Sequence, residues 1–285
     1  MDDALARRFE NERPRLHALA YRMLGSAAEA EDVVQESWLR LNRTSGVDNL
    51  GGWLTTVVSR LCLDALRARR ETPVSSVPDA AGGAVPEDEV LLAGEVGRAL
   101  LVVLDRLAPP ERVAFVLHDL FAVPFDAVGP ILDRTPATAK KLASRARLRV
   151  RGEPAVPAAE LAEHREVVTA FLSAARGGDM ATLLTVLAPD VVRHTDPAML
   201  PPGAAAVLRG ADEVARGTKL FAGTARLAEL ALIDSDVGLV LAPAGRLVGV
   251  LRIEVRGGLL QAYEVVVSPE RLAGMEIAAL SRGAV

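Results

Sequence analysis

The chain has 285 residues, 33 Lys plus Arg against 37 Asp plus Glu for a net charge of −4, and a half-hydrophobic composition. This is a globular composition of two or three domains at ~100–200 residues each, and its charge argues against a protein that coats nucleic acid over its whole surface while leaving a local basic site open. One cysteine, Cys62, excludes a disulfide framework and an all-cysteine zinc site, and four scattered histidines leave little for a transition metal, so neither metal nor cofactor is expected.

Residues 3–70 read as helices. The first carries Leu5, Phe9, Leu16, Leu19, Ala20 and Met23 at helical spacing, with Pro14 placing a break or restart. Gly25-Ser26 is a stop followed by a cap. AEAEDVVQESWLRLNR then sets an apolar stripe (Ala30, Val33, Val34, Trp38, Leu41) against a polar face of Glu29, Asp32, Gln35 and Glu36. Residues 44–49 are a loop by composition. GWLTTVVSRLCLDALRARR forms a third helix that ends in Arg67, Arg69 and Arg70, cations that suit a helix C-terminus. ETPVSSVPDAAGGAVPED has no periodicity and reads as a linker. A first domain therefore covers 1–71, with a linker at 72–88.

EVLLAGEVGRALLVVLDRL reads as one amphipathic helix, and Ala108-Pro109-Pro110-Glu111 opens the next, because proline is tolerated in a first turn. PFDAVGPILD, a turn at Arg134-Thr135 and PATAKKLASRARLRVR follow, with Thr135 as N-cap and Pro136 at the first helical position. A short helix, a turn and a basic second helix is the pattern of a helix-turn-helix; a structural αα-hairpin with a basic face is the alternative. Between Arg134 and Gly152 stand seven basic residues and no acidic one. Such a cluster is the electrostatic footprint of nucleic-acid binding, or else a solvated face. This second domain spans 89–152, and Pro154-Ala155-Val156-Pro157 marks a further linker at 153–159.

Residues 160–285 change character. Two helices separated by Gly177-Gly178 precede strands at Val237–Ala242, Arg246–Arg256 and Leu259–Val267. In the middle strand Val248, Val250, Ile253 and Val255 are expected inward, with a register irregularity near Leu251, and Arg252, Glu254 and Arg256 outward. Helices followed by a strand meander mean an α+β domain. His194 and Asp196, two apart in an extended segment, point to one side and are candidates to line a pocket. No apolar run approaches the ~18–20 residues that span a bilayer. The N-terminus MDDALARRFENERPR has no secretory core, so a soluble cytoplasmic protein without a membrane partner is expected.

The segments RLHALAYRMLGSAAEAEDVVQESWLRL, GWLTTVVSRLCLDALRARR and LDRLAPPERVAFVLHDLF…FDAVGPILDRTPATAKKLASRARLRVR together resemble the two conserved regions of a bacterial extracytoplasmic-function (ECF) sigma factor. The C-terminal part, FLSAARGGDMATLLTVLAPDVV above all, resembles SnoaL-like members of the NTF2-like superfamily. The resemblance implies two all-α sigma domains, the second with a helix-turn-helix, followed by an α+β SnoaL/NTF2-like cone-shaped domain. It implies RNA polymerase core and promoter DNA as partners and no enzymatic activity. Asp32, Gln35 and Glu36 match the contact with the polymerase clamp helices. Asp48, Asn49, Trp53, Thr56 and Arg60 match the reader of the −10 element, with Arg67, Arg69 and Arg70 on phosphates; Trp53 as a core residue is the alternative. Lys140, Lys141, Ser144 and Arg145 match the contacts with the −35 element, with Arg147 on phosphate. The C-terminal domain is expected to modulate activity through intramolecular contact with the sigma domains. The relatives' WLPEP-like and DGGGR-like motifs are absent, whereas Ser268-Pro269-Glu270-Arg271-Leu272 is similar to their NPDKL-like motif. The competing function is a SnoaL-like enzyme or ligand-sensing domain fused to a helix-turn-helix transcription regulator.

Overall fold

The computed structural model describes residues 3–71, 93–94, 97–200, 203–219 and 221–280. They form two compact units. One holds the described residues up to 71 together with 104–149, and the other holds the described residues from 93 to 103 together with those from 150 to 280.

The first unit begins with α1 (Asp3–Leu24), α2 (Ala27–Leu41) and α3 (Leu50–Glu71). Their shared core includes Phe9, Leu16, Leu19 and Met23 of α1, Ala30, Val34 and Leu41 of α2, and Leu54, Val58 and Cys62 of α3. The break expected at Pro14 does not occur, and α1 runs through it. An interior proline costs ~3 kcal/mol, whereas each of the buried side chains flanking it contributes ~1.5–3 kcal/mol; packing on both sides outweighs the ring. Ser26 caps α2 by accepting from the Glu29 N–H at 3.4 Å. Asn49 starts α3 in the same way, its Oδ1 accepting from Gly52 N–H at 3.0 Å.

Four more helices follow: α4 (Arg98–Asp105), α5 (Pro109–Phe115), which continues as a π-helical turn over Val116–Leu120, α6 (Phe125–Ile131) and α7 (Pro136–Arg151). The long amphipathic helix expected over residues 89–107 is described as helical at 93–94 and from Arg98 onward, because Gly97 interposes a φ of 95°. Residues 109–149 stay with the first unit. There α5 buries the Arg112 guanidinium, 2% exposed, with its Nη1 3.2 Å from Asp105. Burial lowers the Arg112 pKa, with Asp105 opposing the shift. Burial also pushes the Cys62 thiol up to about 12, against the pull of the Arg112 charge. The α6–α7 turn is tight. Asp133 takes a left-handed φ of 55°, a conformation that Asp tolerates better than most residues. Arg134 N–H donates to the Gly129 carbonyl at 3.0 Å. A Cβ on Gly129 would lie 2.9 Å from the Arg134 carbonyl oxygen, so only glycine lets the two helices approach.

The second unit is built on a seven-stranded sheet. Its elements in chain order are α8 (Ala158–Gly177), α9 (Met180–Val186), β1 (Leu187–Thr195), β2 (Val207–Arg209), α10 (Ala211–Lys219), α11 (Ala222–Ala225), β3 (Ala228–Ile233), β4 (Asp236–Leu241), β5 (Gly249–Arg256), β6 (Leu259–Val266), α12 (Pro269–Gly274) and β7 (Ile277–Ala279). The strand order is β2-β1-β6-β5-β4-β3-β7, antiparallel except where β1 runs parallel to β6. One face packs against α8, α9 and α10 through Val168, Phe171, Leu183, Val214, Leu239, Ile253 and Tyr263. The opposite face is also apolar over part of its area: Ala231, Ile233, Val240, Val250 and Val266 meet Ala99, Val102 and Val103 of α4 and Leu272 and Met275 around α12. Val250 therefore faces away from Ile253 and Val255. The irregularity expected at Leu251 is absent there: β5 alternates strictly, with Val250 buried on the second face and Arg252, Glu254 and Arg256 exposed on it as expected. The shift in its pairing with β6 lies between Glu254 and Val255.

Glu229 of β3 reaches across this second face to the start of α4, where its Oε2 accepts from the backbone N–H of Arg98 at 2.5 Å. Four N–H groups at a helix start have no partner within the helix, and a carboxylate also suits the positive end of the helix dipole. Glu229→Ala should lower unfolding stability by ~0.5–2 kcal/mol, the worth of an N-cap, with Glu229→Gln closer to wild type. A denaturant titration that places all three proteins at one midpoint would rule out this cap.

Candidate nucleic-acid interface

The basic helix α7 buries a stripe of alanines, Ala139, Ala143 and Ala146. Small residues let it lie flat on its own unit and turn the rest of its circumference outward. Lys140, Lys141, Ser144 and Arg145 are all exposed on the opposite arc, as the 3.6-residue period requires of positions i, i+1, i+4 and i+5. Among the described residues no carboxylate lies within ion-pair distance of Lys140, Lys141 or Arg145. Two cations nearer the C-terminus differ. Arg147 donates to Asp119 at 2.7 Å, and Arg149 to Glu111 at 2.7 Å. Thr135 caps the helix, its hydroxyl oxygen accepting from Thr138 N–H at 3.2 Å.

The second surface lies on α3. Trp53, Thr56, Arg60 and Arg67 share one face at spacings of three, four and seven. Trp53 and Thr56 are half-buried, while Arg60, Arg67, Asp48 and Asn49 are exposed. The Thr56 hydroxyl donates to the Gly52 carbonyl at 3.0 Å. Arg60 leaves this helix altogether, donating from Nη2 to the Pro130 carbonyl of α6 at 3.0 Å. Arg69 is exposed but tied down at the surface, donating to the Leu24 carbonyl at 2.9 Å and pairing with Glu29. The Arg70 side chain lies outside the described residues.

On α2, Asp32 and Gln35 are exposed and Glu36 is half-buried. Gln35 donates to Glu31 at 3.2 Å, and Glu36 accepts from Arg40 at 2.9 Å. Glu31 also pairs with Arg13, and that hydrogen bond is the largest cause holding the Glu31 carboxyl below its usual range. The neighbouring acids Glu29 and Glu31 are thus tied to cations of α3 and α1, and Asp32 is left facing solvent.

Of the C-terminal pair, His194 lies on β1 and Asp196 just past its end. Arg193 and Thr195 are buried toward α8, and the alternation of β1 turns His194 outward beside Glu264. Asp196 holds two loops together: its Oδ1 accepts from Ala198 N–H at 3.2 Å and its Oδ2 from Ser268 N–H at 3.0 Å. His194 borders a polar recess together with His164, Arg252, Glu254 and Glu264, whereas a second, apolar cavity of this unit is lined by Arg193 and Thr195. The signal was in the sequence, since an Arg at the inward parity of Val191, Arg193 and Thr195 is a charge where a strand should be apolar.

The family model for Sigma-70 region 2 matches residues 8–72, and that for Sigma-70, region 4 matches residues 97–150. The chain is 38% identical over 295 residues to the ECF RNA polymerase sigma factor SigJ of Mycobacterium tuberculosis, covering 93% of this chain and 92% of that one. It is 37% identical to the probable ECF RNA polymerase sigma factor SigI of the same organism, covering 89% and 90%. Among solved structures, the crystal structure of the M. tuberculosis extracytoplasmic function sigma factor SigJ aligns with a TM-score of 0.47 at 34% identity, over 94% of this chain and 98% of that one.

The free and paired cations of α7 should behave differently toward duplex DNA. Arg145→Ala should cost ~1–3 kcal/mol and relax base preference at one position, as loss of a base-edge contact does. Arg149→Ala, whose partner is Glu111, should shift affinity by less and equally across sequences. A selection on randomised duplexes that finds the same base preference in wild type and Arg145→Ala would remove the base-reading role.

Proposed function

The chain belongs to the ECF RNA polymerase sigma factors, a family that confers promoter specificity on the polymerase, and from that premise we propose how its surfaces divide the task. The acidic and amide groups of α2, Asp32, Gln35 and Glu36, dock on the clamp helices of the core enzyme. Opposite charge there speeds encounter and fixes register. The loop before α3 and the exposed face of that helix, Asp48, Asn49, Trp53, Thr56 and Arg60, read the −10 element, with Arg67 and Arg70 near phosphates. Lys140, Lys141, Ser144 and Arg145 enter the major groove at the −35 element, where Lys and Arg donate to guanine O6 and N7. The observation that carries this division is the unpaired basic arc of α7, exposed opposite its buried alanine stripe.

On this reading the domains are residues 1–71, 89–152 and 160–285 with linkers between, the last a SnoaL-like domain, and the chain needs no catalysis of its own. Work on RNA polymerase places it in the cytoplasm. Among the described residues no helix is long and apolar enough to cross a membrane. The hydrogen bond from Arg60 to Pro130 supports a further step. The −10 and −35 elements are about 25 base pairs apart, or ~85 Å at ~3.4 Å per pair. A unit in which the reader of one element touches the helix-turn-helix that reads the other is a closed form, and the two must separate on promoter DNA. The packing of residues 98–103 on the C-terminal sheet supports modulation by that domain, which holds the start of the region-4 match in place.

Two experiments test these assignments. Asp32→Ala combined with Gln35→Ala should abolish capture of core polymerase, and undiminished capture would remove α2 as the docking face. Tying Arg60→Cys to Pro130→Cys with a short bismaleimide should lower promoter-specific transcription at least ~10-fold relative to the untied double variant, the effect of ~1.4 kcal/mol or more. Cys62, buried and with its thiol pushed up to about 12, does not compete for the reagent. Full transcription by the tied protein would disprove the closed form.

A further inference from the structure

The C-terminal unit encloses a cavity between the sheet, α8, α10 and α11. It offers about 60 Å³ to the centres of water-sized atoms, within a recess of about 530 Å³ that opens toward solvent. A single water needs only ~10–15 Å³ by the first measure. Its walls are apolar, with Phe171 and Leu172 of α8 on one side and Leu239, Leu241 and Leu251 of the sheet on another. Arg193 is the one charged residue among the described residues that line it.

Arg193 is 4% exposed, and two of its guanidinium nitrogens, Nε and Nη1, are buried with no hydrogen-bond partner. Among the described residues no carboxylate lies within ion-pair distance of it. Phe221 of the same wall holds the guanidinium carbon 5.3 Å from its ring centroid. The hydroxyl oxygen of Thr195, two residues on along the same face, is also buried without a partner. The parallel pairing of β1 with β6 sets Arg193 beside Tyr263, and the Tyr263 hydroxyl bonds Thr218 of α10 at 2.7 Å. Burial raises the Tyr263 phenol above its ordinary pKa, against the opposing pull of its bonds to Thr218 and Arg193; a phenol is a neutral partner and brings no negative charge to Arg193. The fold makes room for this arrangement at Gly217 of α10, where a Cβ would stand 2.7 Å from Arg193 Nη1.

An uncompensated cation in an apolar wall is costly, and a buried polar group normally finds a partner. An apolar cavity with a few convergent polar groups is also the ordinary form of a small-molecule site. We propose that this cavity binds a small apolar carboxylate. Its anionic head accepts from the free Arg193 nitrogens and the Thr195 hydroxyl, and its hydrocarbon body lies against Phe171 and the leucines of β4 and β5. Charge-assisted hydrogen bonds of this kind are the strong ones, and the guanidinium suits a carboxylate better than an ammonium would. The proposal concerns binding by residues 171–265 and stands whether or not the α2, α3 and α7 surfaces act as assigned above.

The test uses the full chain and calorimetric titration with hexanoate and benzoate, against their neutral counterparts 1-hexanol and benzamide and against inorganic phosphate. The carboxylates should bind at least ~10-fold tighter than either control, the worth of one charged hydrogen bond. Arg193→Met should lose that preference. Thr195→Val and Gly217→Ala, which keep the charge but remove a donor or crowd Nη1, should each weaken the carboxylates ~3–10-fold, so the test does not depend on Arg193→Met folding. No carboxylate binding by the wild type, equal binding of the neutral compounds, equal binding of phosphate, or unchanged binding in all three variants would each overturn the proposal.

Discussion

A sheet that is apolar on both faces must be covered twice, and the organisation of this protein follows from that requirement. The helices α8, α9 and α10 cover one face of the C-terminal sheet. The other face, from Ala231 to Val266, is covered in part by residues 98–103, which come from far earlier in the chain. At ~25 cal/mol per Å² of apolar surface, leaving Ala231, Ile233, Val240 and Val250 open to water would be a large loss for a domain of this size. The compact unit therefore crosses the boundary that composition draws between residues 89–152 and the C-terminal domain, and it draws in the start of the segment that matches Sigma-70 region 4.

In the other unit, the basic residues divide by whether a charge has a partner. Arg69, Arg112, Arg147 and Arg149 all face a carboxylate, while Lys140, Lys141 and Arg145 face solvent on the arc opposite the alanine stripe. Surface pairs add little stability, typically ~0–1 kcal/mol each, but they fix where a long side chain lies. The unpaired cations turn their full charge to solvent. Arg112 is the exception that organises the rest. Its charge is buried between helices, so exchanging it for a neutral group alters packing as well as electrostatics.

The helices were legible in the sequence because their stripes are long and their caps explicit: Ser26, Thr135 with Pro136, and Ala108 with Pro109 all stand where the chain starts a helix. The helix-turn-helix was legible for the same reason. Elements decided by tertiary packing were not. Pro14 reads as a break because local rules do not include the burial on either side of it. Val250 reads as inward because the start of β5 is apolar on both parities, although Arg252, Glu254 and Arg256 mark its side as the outward one. β1 borders two recesses, and sequence reading marked only the one beside His194. His194 and Asp196 attract notice as reactive types, whereas parity puts Arg193 and Thr195 inside. Arg60 and Arg69 look alike in a list of basic residues, and only the fold separates the one that reaches Pro130 from the one tied to Glu29 and the end of α1.

The cap that Glu229 places on α4 spans 131 positions of sequence. A ribosome adding ~5–20 residues per second takes roughly 7–26 s to move from the helix to its cap. For that interval Ala99, Val102 and Val103 have left the exit tunnel or are about to leave it, and the sheet that covers them does not yet exist. The order of synthesis thus makes the first stretch of the region-4 match one of the last to reach its final surroundings. A nascent chain arrested before β3 would present these side chains to the chaperones of the cell.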